Sequence, residues 1–104
     1  MSLSNLTEEE FTIVRRVLVA AANGPYFPEW EFQTLFGLAR IEVSAIASGT
    51  LDETRDEVRC AINNSFVNLL GYPHGQESRL QEDLGLPIAR ISEIFQKWRA
   101  EGAA

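Results

Sequence analysis

The sequence predicts an all-α fold: a single helical domain of five or six helices, built as two similar halves of three helices each. Three observations carry this. Apolar residues recur at helical spacing along nearly the whole chain. Gly and Pro fall at the ends of those periodic stretches rather than inside them. The stretch Phe32 to Ile46 returns as Leu80 to Ile94, each copy reading apolar, Gln, two variable residues, apolar, Gly-Leu, and later a β-branched residue followed by Ser.

At an offset of 48 the first 48 residues match the next 48 at ten positions, among them Val19/Val67, Pro25/Pro73, Gln33/Gln81, Gly37/Gly85 and Ile46/Ile94. Average residue usage would give about three. Apolar pairs such as Val14/Ile62, Leu18/Phe66, Phe32/Leu80 and Phe36/Leu84 extend the match. The expected repeats are residues 7–48 and 55–96, inside one domain spanning 1–104. Met1-Ser2-Leu3 reads as a leftover of expression, so the Leu3/Leu51 match counts for little.

Taken in order, Thr7 opens the first helix as N-cap of a capping box with Glu10, and the acids Glu8 to Glu10 suit the positive end of a helix dipole. Phe11, Val14, Val17, Leu18 and Ala21 form its stripe, widened by Ile13 and Ala20, until Asn23-Gly24-Pro25 stops it. Pro28 then suits the first turn of a short helix reaching Phe36, with Phe32, Leu35 and Phe36 inward. Gly37 can take the left-handed conformation that ends a helix. A third helix runs from Arg40 to about Ser48 and offers Ile41, Val43 and Ile46 to the core.

The fourth helix is the longest, capped by Asp52 or Thr54 and closed by Gly71. Its stripe is Val58, Ala61, Ile62, Ser65, Phe66, Leu69 and Leu70, and Cys60 reads as a small buried side chain. Gln76 to Leu84 makes a fifth helix that Gly85 stops. Pro87 opens the sixth, whose apolar set is Ile88, Ile91, Ile94, Phe95 and Trp98. Glu101 to Ala104 are expected to fray.

Composition narrows function. Apolar residues make up 45% of the chain, the net charge is −6, and the acid excess is spread over both halves. Such a field opposes nucleic acid and anionic membranes. The chain has no membrane-length apolar run and no signal layout, so a cytoplasmic location is expected. Eight of the nine bases are Arg, a bias that points to a bacterial source. One cysteine and one histidine supply neither a disulfide nor a metal site. No nucleotide loop or nucleophile motif occurs, so no catalytic residue, cofactor or metal is assigned.

What remains is a surface for a partner. Tyr26 and Phe27 lie between Pro25 and Pro28 and Trp30 follows at the start of the second helix, where helix packing does not require them, and aromatics dominate binding hot spots. Asn64 and Asn68 lie one turn apart in mid-helix, where Asn is a poor helix former. Tyr72 and His74 occupy the matching loop of the second half. These seven residues form the expected partner-binding surface, for another protein or a second copy of the chain, with a regulatory or inhibitory role.

The two turns, with Phe32, Phe36, Gly37-Leu38, Val43-Ser44 and Ile46 in the first, also resemble the helix-turn-helix element of bacterial transcription regulators over about residues 32–48 and 80–96. That resemblance implies a DNA-reading helix, for which Arg90, Lys97 and Arg99 are the bases available. Gln33 and Gln81 depart from the small residue usual in that element, and Glu42 and Glu93 interrupt the two reading helices. DNA binding therefore stands second to a protein partner.

Overall fold

The computed structural model describes residues 2–100. After a 3-10 turn at Leu3–Asn5 come six helices: α1 (Glu8–Asn23), α2 (Glu29–Phe36), α3 (Arg40–Ser48), α4 (Asp56–Gly71), α5 (Glu77–Leu84) and α6 (Ile88–Arg99). The starts of α1 and α4, of α2 and α5, and of α3 and α6 are each 48 positions apart. The radius of gyration is 12.7 Å, matching the roughly 13 Å expected of a 100-residue domain. The described residues form a single all-α domain of six helices.

Local chemistry accounts for most boundaries. The Glu10 N–H donates to Thr7 Oγ1 at 3.2 Å and the Thr7 N–H to Glu10 Oε1 at 3.0 Å, which closes the capping box on α1. Gly37 and Gly85 end α2 and α5 in the left-handed region, at φ 69° and 75°, and their N–H groups reach back to Gln33 and Gln81 carbonyls. A left-handed residue turns the chain sharply after a single turn of unpaired carbonyls, so the next helix starts at once.

The start of α4 departs from expectation. Arg55 is its N-cap and supplies no side-chain bond. Asp52 instead accepts from the N–H and hydroxyl of Thr54, at 3.0 and 2.7 Å, one turn too early. The α6 N-terminus gains a partner that periodicity does not reveal, since the Ile88 N–H donates to Gln81 Oε1 at 3.1 Å.

The core forms around α1 and α4, which pack on each other. α2 lies against α4, while α5 lies against α1, so each short helix leans on the long helix of the other half; α3 packs on α1 and α6 on α4. Val14, Val17, Leu18 and Ala21 of α1 and Ala61, Ile62, Phe66 and Leu69 of α4 are buried. Both long helices are thus covered on two sides, as the width of the α1 stripe anticipated. Several expected core residues sit higher: Phe11, Leu35, Ile46 and Leu70 are half-buried, and Ile41 is exposed. In α3 the second core residue is Ala47, one turn after Val43.

Leu3 packs as part of the fold. It is buried, its N–H donates to Glu53 Oε1 at 2.8 Å, and the same oxygen accepts the indole N–H of Trp98 at 2.9 Å. Asn5 donates to the Lys97 and Ala100 carbonyls, so the first residues cover the end of α6. The expected fraying of Glu101 to Ala104 lies outside the described residues. No helix among the described residues is long and apolar enough to cross a membrane.

Candidate interaction surface

The structure brings the two loops before α2 and α5 together. Tyr26 and His74, which correspond at the offset of 48, meet edge to face with ring centroids 5.1 Å apart. Phe27 packs edge-on against Phe36 at 5.2 Å and Tyr72 at 5.5 Å. Offset and T-shaped aromatic packing of this kind stabilises a corner beyond its area alone.

That packing corrects the exposure expected of two residues. Tyr26 is 2% exposed and Phe27 6%. Each is drawn inward by a specific site: Phe27 fills the angle between α2 and the end of α4, and the Tyr26 hydroxyl crosses to α5 to donate to Asp83 Oδ2 at 2.6 Å. Burial, followed by the Asp83 carboxylate, raises the Tyr26 phenol far above its ordinary pKa. The Tyr72 hydroxyl donates to Glu31, which raises its pKa as well.

Asn64 and Asn68 are the neighbours of a loop, not an open strip. Asn64 Nδ2 donates to the Phe36 carbonyl at 2.8 Å and Asn68 Nδ2 to the Leu35 carbonyl at 3.1 Å. They satisfy carbonyls that the end of α2 leaves without helical partners. Cys60 joins them half-buried, its thiol 3.4 Å from the same Phe36 carbonyl. His74 is equally engaged, with Nε2 donating to the Leu69 carbonyl and Nδ1 accepting from the Gln76 N–H.

Trp30 alone among the seven stands out in solvent, 79% exposed on the first turn of α2. Ile41, on the first turn of α3, is 78% exposed. The two helix starts are tied by Arg40, a residue whose part the sequence does not signal. Its Nε donates to Glu29 Oε2 at 2.6 Å, its other nitrogens to the Ala22 and Phe27 carbonyls, and its guanidinium lies 4.4 Å over the Phe32 ring. The Arg40–Glu29 pair thus links the helix starts that carry Ile41 and Trp30.

The bases of α6 are placed differently. Glu10 is buried, and its carboxylate accepts from Lys97 Nζ at 2.6 Å and from Arg90 at 2.8 Å. The Lys97 bond, the Thr7 N–H and Arg90 together overcome burial and lower its pKa to about 2. Arg90 also approaches Glu93, and the Arg99 guanidinium lies over the Phe95 ring. Among the described residues no group of three or more His, Cys, Asp or Glu side chains is placed to hold a metal ion. No protein-family model, curated protein or solved structure matches the chain.

Proposed function

We propose that the chain is a non-enzymatic, cytoplasmic protein of bacterial origin that acts through a protein–protein interface, as a regulatory or inhibitory partner. The internal duplication read from the sequence belongs to this proposal, and the common spacing of the six helix starts supports it. The observation that carries the interface is the outward Trp30, joined by Ile41 on the adjoining helix start. Trp combines large apolar area with a hydrogen-bonding tip and is among the residues most enriched in binding hot spots. The remaining predicted residues form the packed corner that holds this face in place. DNA binding stands behind it because Arg90 and Lys97 already share Glu10, and the face of α6 mixes both signs.

The test is affinity capture from the native host with the parent chain and with Trp30→Ala, alongside sedimentation of the chain over a range of concentrations for self-association. Replacement of Trp30 should weaken association by about 1–2 kcal/mol with an unchanged melting temperature. Equal association by both chains would remove Trp30 from the interface.

A further inference from the structure

We propose that a groove along α1 docks an acidic peptide segment anchored by apolar side chains. The groove consists of two clefts of about 320 and 580 Å³ that share Thr12 and Arg16 as walls, with α1 on one side and the α5 and α6 region on the other. Ile13, Leu86 and Ile94 line the first, and Val19, 43% exposed, lines the second.

Charge selects the occupant. Arg15, Arg16, Arg79 and Arg90 all line the groove, four of the nine bases of a chain whose net charge is −6. The facing acids are Glu9, Glu10 and Asp83. Glu10 is already matched by Lys97 and Arg90, and Asp83 by Arg79 at 3.8 Å and the Tyr26 hydroxyl, which leaves Glu9 as the remaining acid of the groove that holds Arg15 and Arg16. Arg15 donates to the Ala47 and Gly49 carbonyls and Arg16 to the Leu84 carbonyl. Those carbonyls orient both guanidiniums without a carboxylate to neutralise them among the described residues. An Arg held this way keeps free N–H donors for a carboxylate at little further entropic cost.

The overall negative charge does not prevent this, because screening over about 8 Å at physiological salt leaves the local arginines to dominate. Nucleic acid fits less well: its phosphates would gain Arg15 and Arg16 but leave the apolar lining without a partner. A peptide carrying both carboxylates and branched side chains satisfies both parts of the groove. The second half supplies an internal control. Val67 corresponds to Val19 and is 45% exposed, yet the counterparts of Arg15 and Arg16 there are Asn63 and Asn64.

Fluorescence anisotropy on the full chain tests this with a labelled peptide of glutamate and leucine, about twelve residues long, enough as a helix to cover about 18 Å. Saturable binding is expected, weakened by at least about tenfold in Val19→Asp and unaltered in Val67→Asp. Arg79→Glu, a change at an exposed position, should weaken it too and serves if Val19→Asp lowers the helical circular dichroism signal. The proposal is overturned if the peptide does not bind, if Val19→Asp and Val67→Asp weaken it equally, or if a lysine-leucine peptide or a single-stranded oligonucleotide binds more tightly. The groove shares no residue with the Trp30 and Ile41 face, so either reading can fail alone.

Discussion

In the first half of the chain the aromatic volume sits on α2, where Phe32 and Phe36 are fully buried and stack at 4.1 Å. The corresponding positions of α5 are Leu80 and Leu84, also fully buried. There the large side chains lie on the long and the last helix: Phe66 stands where the first half has Leu18, Phe95 where it has Ala47, and Trp98 where it has Thr50. Phe66 stacks on Phe95 at 4.9 Å. Helices that start at matching positions are therefore filled by different distributions of volume, and each half sets a ring at one helix against a smaller residue at another.

The same exchange holds for polar contacts. Asn64 of α4 donates to the Phe36 carbonyl at the end of α2, while its counterpart Arg16 of α1 donates to the Leu84 carbonyl at the end of α5. One task is done by an amide in one half and by a guanidinium in the other. Only the guanidinium brings a charge, and that separates the α1 groove from its counterpart.

The comparison is broken most severely at Phe66. Phe66→Ala should cost about 3–5 kcal/mol and Leu18→Ala about 2–5 kcal/mol, measured by urea unfolding. A cost at Phe66 below that at Leu18 would mean the second half does not depend on its displaced rings.

Periodicity made much of this legible, because burying a helical stripe needs only a pattern along one element. Val14, Leu18, Ile62, Phe66, Ile91 and Trp98 are all read correctly that way. Contacts between elements leave no such trace. Ile41 looks like core by type, but α3 turns Val43 and Ala47 inward and leaves it out. Tyr26 and Phe27 look like surface by position, and only the meeting of two loops distant in sequence draws them in. Glu10 is legible as a capping residue, whereas its bonds to Arg90 and Lys97 depend on α6 returning to the start of α1. Asn64 and Asn68 were visible as anomalies in a helix, and the carbonyls they serve were not.

A smaller effect is expected at Glu10, whose counterpart Val58 needs no charge. The folded pKa of about 2 lies below the ordinary carboxyl value of 4.5. The carboxylate thus stabilises the fold fully above about pH 4.5, and this contribution is lost as pH falls toward 2. Because Arg90 and Lys97 remain partly in water, Glu10→Gln should cost only about 2 kcal/mol near neutrality. Its urea midpoint should also fall less steeply than that of the parent between about pH 5 and pH 2. Parallel acid limbs would show that the ion pairs of α6 add no stability and that the halves differ here in form alone.

The smallest effect sharpens the comparison where the halves agree. Gly37 and Gly85 hold the same left-handed turn, and an added Cβ would meet only Cys60 Sγ at 3.9 Å and an Arg16 guanidinium nitrogen at 3.6 Å, both ordinary contact distances. Space is therefore not what excludes a side chain. The cost of Gly→Ala comes from the left-handed backbone, about 1–2 kcal/mol, reduced by the lower entropy of the unfolded alanine chain, about 0.4–1 kcal/mol. Both substitutions should lower stability by about 1 kcal/mol each, and by the same amount within error, because neither term depends on the half in which it occurs. If one glycine tolerates alanine and the other does not, the two turns are not equivalent, and the matched helix starts owe their spacing to something other than a shared turn.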